Sequence, residues 1–282
     1  LYSLGVLSIL PEVLVLRRGV HAPRRQERDF VMAEFDRPTI AAARAGTAAA
    51  IDQGLRAYML KVYNYMSLGL VVTGLVAWFT YSASFVEQAG NIVGFTQLGA
   101  ALFESPLRWV VMLAPLAFVL VLSFGITKLS VFATQALFWG FAAVMGVSLS
   151  SIFAVYTGGS IAKVFFIAAA MFGSMSLYGY TTKRDLTQFG SFLMMGLFGL
   201  IIASIVNMIW PSGALGFAIS LVGVVLFLGL TAWDTQKIKE SYNVGFGHEV
   251  LMKGAVMGAL SLYLDFINIF LFLLRLMGNQ RN

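Results

Sequence analysis

The chain has 282 residues, of which 59% are hydrophobic and 11% charged, and it carries a formal net charge of +6. Soluble domains carry about 25% charged residues, so this composition, with a mean hydropathy of +0.83, excludes an ordinary water-soluble protein and describes one that crosses a membrane repeatedly. The basic excess does not call for nucleic acid, because Lys and Arg of such proteins collect in cytoplasmic loops against anionic headgroups. The absence of Cys rules out disulfides, thiolate metal sites and a cysteine nucleophile.

In chain order, residues 1–31 differ from the rest. A short apolar run broken at Pro11 precedes Arg17, Arg18, Arg24, Arg25 and Arg28. A secretory signal places its positive region first, and this run is too short to span. The segment is expected to be disordered, an upstream extension of a reading frame whose natural start is Met32. Residues 32–61 form a polar, Ala-rich tail whose second half, 48–59, can be helical. The transmembrane domain follows over 62–278.

Seven apolar segments lie at about 62–83, 109–127, 131–155, 161–180, 190–210, 214–236 and 254–277, each near the ~20 residues needed to cross a bilayer. The fold class is therefore all-α and polytopic. The connection 84–108 is only mildly polar and is placed at the interface, with Ser105-Pro106 as N-cap and first residue of the second span. Trp78, Trp109 and Trp210 stand near span ends, where aromatic belts form. Arg56, Lys61, Lys128, Lys183, Arg184, Lys237, Lys239 and Lys253 fall on one side, and Arg108, Lys163, Arg275 and Arg281 on the other. The positive-inside rule puts the first group and the N-terminus in the cytoplasm. No repeat of 20–50 residues is visible, which weakens an inverted-repeat transporter reading.

The seventh span carries an acid at its middle. Alternating steps of four and three residues from Gly254 reach Gly258, Ser261, Asp265, Asn268, Phe272 and Arg275, which share one helical face. All but Phe272 are small or polar. An ionisable group at the bilayer centre costs about 2.5–3.5 kcal/mol on insertion scales and marks a functional site by default. The sixth span ends in GLTAWDTQKIKESYN, which adds Asp234. Taken alone, Asp234 can equally mark the exit of the helix at the headgroups. Where two carboxylates on consecutive helices meet, they cannot both ionise cheaply, and the pair holds a shared proton at some pH. Such a pair is also a hard oxygen site suited to transient Ca²⁺.

SLYLDFINIFLFLLRLMG (261–278) together with WDTQKIK (233–239) resembles the bacterial branch of the Bax inhibitor-1, or transmembrane Bax inhibitor motif, family. The resemblance covers about 50–280 and is carried by the seventh span and the end of the sixth. It implies six helices around a central seventh, in a bacterial inner membrane. It also implies a pH-sensitive Ca²⁺ leak in which Asp234 and Asp265 form the proton sensor and gate. Some members carry Arg at the junction of the second and third spans as a latch on the two acids. Here that place reads FGITKLSVF, and Lys128, a point charge and not a bidentate fork, is the nearest cation.

The remaining polar residues have simpler readings. Ser148, Ser150, Ser151, Ser174 and Ser176 are expected to bond their own helix carbonyls or to allow packing. Gln135 and Asn207 read as interhelical glue, Arg275 as snorkelling to headgroups, and Gly254 and Gly258 as close-packing positions. An enzyme is not expected. His21 lies in the extension and His248 in a loop, so a Ser–His dyad has no base within a span, and zinc lacks ligands. An intramembrane aspartyl protease also uses one Asp on each of two helices, but its GxGD pattern is replaced here by Leu262-Tyr263-Leu264-Asp265. A third class is a non-transporting modulator of membrane proteases or stress responses. No cofactor is expected. The expected partners are Ca²⁺ as permeating ion, protons, the lipid bilayer and, under the third class, a membrane protease or another membrane protein.

Overall fold

The computed structural model describes residues 26–88 and 91–281. The chain divides into two units, Leu1–Ala50 and Ile51–Asn282. Of the segment 1–31 expected to be disordered, residues 1–25 lie outside the described residues, and 26–31 open the first helix. In order, the elements are α1 (Gln26–Ser84), β1 (Phe85–Gln88), β2 (Asn91–Phe95), α2 (Gln97–Gly99), a π-helical turn (Ala100–Glu104), α3 (Leu107–Gly125), α4 (Val131–Leu149), α5 (Ser151–Val155), α6 (Gly158–Thr181), α7 (Thr187–Ile209), α8 (Gly213–Glu240) and α9 (His248–Met277). Seven helical stretches are long and apolar enough to cross a membrane, with α4 and α5 together making the third and Ile51–Ser84 the first.

The expected spans are all present, and several helices extend past the apolar stretch, the first of them from Ile51. α8 runs on to Glu240, its polar end bonded to neighbouring groups through Gln236 and Lys239, and α9 begins at His248, its first turns carrying a Glu249–Lys253 ion pair. The connection 84–108 is more ordered than its composition suggested. It folds as an antiparallel β-hairpin with a bulge between Val86 and Glu87, then the short helical turns. Phe85, Phe95 and Phe103 cluster beneath it, with ring centroids 5.1–6.3 Å apart. α3 begins one residue later than expected, with Pro106 as its N-cap, and the Ser105 Oγ accepts the Leu107 N–H at 3.1 Å.

The seventh span is central. In α9, 67% of the most apolar stretch is buried, against 11–44% in the other six. α1 and α4 meet it at Tyr263, whose hydroxyl shares a 2.7 Å hydrogen bond with Thr73, while Thr73 donates to the Ala142 carbonyl at 2.8 Å. α6 packs Phe172 against Phe266 at 5.7 Å. α8 lies along the small-residue face, with Phe227 stacked on Phe272 at 5.9 Å. α3 and α7 complete the ring outside α4 and α8, with Ser148 donating to the Val111 carbonyl of α3 and Leu193 lying against Gly229. The outward faces are apolar, with Phe124, Phe132 and Met208 at least 74% exposed, a surface that needs lipid as its solvent.

Candidate functional site

The site lies between the C-terminal turns of α8 and the middle of α9. Each side chain from Trp233 to Lys239 has its own neighbour. Trp233 fills a slot opened by Gly190 of α7, where an added Cβ would lie 2.2 Å from the indole. Lys237 sits 4.9 Å from the Trp233 ring centroid. Thr235 is fully buried and shares a 3.0 Å hydrogen bond with Ser176 of α6, which shares another of 2.6 Å with Tyr63 of α1. Gln236 accepts the Leu186 N–H and donates to the Arg184 carbonyl, both at 2.8 Å, fastening α8 to the connection between α6 and α7. Ile238 lies against Gly258 of α9. Lys239 donates to the Tyr180 carbonyl at 2.7 Å, a cation placed at the negative end of α6.

These contacts leave Asp234 for α9. It is partly buried and is the ionisable neighbour that acts electrostatically on Asp265, while its own charged neighbour is Lys237. Asp265 is 4% exposed, and its Oδ2 has no hydrogen-bond partner. Thr231, one turn before Thr235 on the same face of α8, is the hydroxyl in contact with Asp265. Its own proton goes to the Phe227 carbonyl at 2.7 Å. α8 can come this close to its neighbours because Gly179 of α6 faces the Ala232 backbone, where a Cβ would stand 2.1 Å from the carbonyl oxygen.

Gly258 lies against Ile238 of α8 and Gly254 faces the Tyr58 hydroxyl of α1, while Ser261 shares the helical face of Gly258 and Asp265 by its spacing. Asn268 donates to the Leu264 carbonyl of its own helix at 2.8 Å. Lys128 is exposed on the connection between α3 and α4; among the described residues it makes no ion pair, and it does not figure among the groups acting on either acid. Ser174 donates within α6, as expected, and Ser150 and Ser151 donate to carbonyls of α4 in the same span. Gln135 bridges to Tyr65 at 2.6 Å, but Asn207 instead accepts the Ser212 N–H at 3.0 Å and caps the turn between α7 and α8. Among the described residues, no group of three or more His, Cys, Asp or Glu side chains is placed to hold a metal ion. Two carboxylates supply only part of the 6–8 oxygens Ca²⁺ takes, which suits a passing ion better than a resident one.

Thr231, Thr235 and Tyr63 were not anticipated. Thr231 and Thr235 stand at i and i+4 with Asp234 between them, a spacing that puts both hydroxyls on one face. Nothing in the sequence, though, tells which helix that face meets.

Comparison with known proteins follows the same boundaries. A family model described as inhibitor of apoptosis-promoting Bax1 matches residues 55–282. An uncharacterized protein of Rickettsia prowazekii is 49% identical over 231 residues, covering 82% of this chain and 93% of the relative. The inner membrane protein YbhL of Escherichia coli K12 is 47% identical over 234 residues, covering 81% and 94%. An uncharacterized membrane protein of Streptococcus pyogenes is 33% identical over 231 residues, covering 81% and 95%. None of these three names describes an enzyme.

Proposed function

The chain belongs to the Bax inhibitor-1 family, and from that premise we propose that it is a pH-sensitive cation leak of a bacterial inner membrane, passing Ca²⁺. Its gate is the pair Asp234 and Asp265, closed while the two carboxyls share a proton and opened by repulsion when that proton leaves. The observation that carries this reading is the burial of Asp265 beside a second carboxyl, with one oxygen unpartnered. An unpaired carboxylate in such a place is several kcal/mol more costly than a neutral acid.

Lys and Arg set the orientation, with the N-terminus and the Asp234 end of α8 in the cytoplasm. The cytoplasmic pH then sets the state of the pair, and rising pH favours the open, cation-attracting form. The inner-membrane assignment agrees with the name of the Escherichia coli relative. No residue here is assigned an enzymatic role. Lys128 holds no latch in this reading, so the closed state depends on the proton alone.

Ca²⁺ flux into liposomes carrying the purified protein, measured against pH, tests the proposal. Wild type is expected to leak more as pH rises, and Asp234→Asn and Asp265→Asn are each expected to lose that dependence. An unchanged pH response in both variants would remove the pair from the gate. No flux at any pH from folded protein would favour a modulator of membrane proteases or stress responses.

A further inference from the structure

Arg275 stands apart from the machinery of the gate. It lies near the C-terminal end of α9, at the opposite end of the helix from the Asp234 side, and its side chain is exposed. Among the described residues no carboxylate pairs with it; its nearest charge-stabilising contact is the Phe272 ring, 5.9 Å from the guanidinium. It nevertheless lines two adjoining spaces. One is a cleft of about 700 Å³ with Asn207, Ser204, Ser220 and Gln280 on its walls. The other is a groove of about 370 Å³ lined by Leu200, Ile201, Ile205, Phe227 and Phe272, reaching down to Asn268. Ser204, Met208 and Arg275 belong to both, so the two form one slot.

The slot has a polar and an apolar part at the depths a phospholipid would require. Its polar part lies where α7 ends at Trp210 and α8 begins after Ser212, the level of the headgroups. From Arg275 to Asn268 is seven residues of helix, about 10 Å, and the groove covers that stretch inside the hydrocarbon layer. Ile201, Ile205 and Met208 on its rim are 47–74% exposed, so an acyl chain can enter from the side. A guanidinium repels cations and matches a phosphodiester bidentately.

We propose that this slot binds one anionic phospholipid from the leaflet on the C-terminal side, its phosphate on Arg275 and one acyl chain along α7. The bound phosphate neutralises the cation at this end of the α9 seam. The site does not depend on the gate and stands whether or not the protein passes ions.

Native mass spectrometry of the detergent-purified full chain, titrated with phosphatidylglycerol, tests the assignment. Wild type is expected to retain one lipid per chain with preference over phosphatidylethanolamine. Arg275→Gln is expected to weaken binding about tenfold, the loss of one charge-assisted hydrogen-bond pair. Ser204→Phe fills the junction while keeping the arginine and is expected to weaken it at least as much. Lys163→Gln removes an exposed cation at the same membrane surface, at the start of α6, and is expected to change nothing. Wild-type affinity in both slot variants overturns the proposal, as does an equal loss in Lys163→Gln. Displacement of the lipid by millimolar inorganic phosphate would reassign the site to the free anion. A chain dimer lost in Ser204→Phe, in place of lipid, would reassign it to a second copy. A thermal melt of each variant separates loss of the site from loss of the fold.

Discussion

At the scale of single residues, Asp234 and Asp265 were legible in the sequence because an acid within an apolar span is costly and needs a reason. Their hydroxyl neighbours were not. A serine in a span ordinarily bonds its own helix, and Ser174 does so; Ser176, two residues on, instead joins Tyr63 of α1 to Thr235 of α8. Only the rotation of α6 decides between the two, and that is set by packing such as Gly179 against Ala232. Ser176→Ala leaves two hydroxyls, one of them fully buried, without this partner, and is expected to destabilise the protein by about 1–3 kcal/mol, read as a lower Tm in detergent. Gly179→Leu is expected to be worse, because the new side chain meets backbone, which cannot rotate away as a side chain would. A stable Gly179→Leu protein with unchanged flux would mean that α6 and α8 can separate without consequence for the site.

Among the elements, the spans could be read from hydropathy, while their polar extensions and the hairpin could not. WDTQKIK contains four polar or charged side chains after its aspartate, so hydropathy ends α8 at about residue 236. The helix continues to Glu240 because Gln236 and Lys239 satisfy groups on the neighbouring connection and on α6. At the opposite membrane surface the hairpin is held by the end of the chain. Arg281 pairs with Glu87, which also accepts from the Tyr81 hydroxyl, and the Arg281 N–H donates to the Val155 carbonyl at 2.9 Å. The Tyr81 hydroxyl and the Arg281 guanidinium hold the Glu87 carboxyl below its ordinary value of 4.5. A group depressed by folding contributes above its unfolded pKa and loses that contribution as pH falls through its folded one. The contact is therefore expected to be complete above about pH 5 and to open only on acidification below pH 4.5. Hydrogen exchange at the Arg281 amide should rise in that range beyond its intrinsic pH dependence, and Glu87→Gln should remove the extra acid sensitivity.

At the scale of the whole molecule, the fold buries the middle of the spanning helix that carries Asp265. α9 carries Asp265 at mid-length, 4% exposed among the neighbouring spans. Which compartment's pH the proposed aspartate gate answers to then depends on orientation alone. The uneven distribution of Lys and Arg predicts that the connection 241–247 faces the cytoplasm and that the hairpin and the turns after it face outward. Because the chain has no Cys, single cysteines can be placed at exposed Val244 and Gln97 without altering a background thiol. In intact spheroplasts, a membrane-impermeant maleimide should label Gln97→Cys and leave Val244→Cys untouched until the membrane is opened. The reverse pattern would turn the molecule over and put the Asp234 end of α8 toward the outside. The pair would then respond to external pH, and cytoplasmic acidification could no longer close the leak. Under the proposed gate, labelling and pH-dependent flux agree in sign, since its proton site faces a single compartment while the leak is closed.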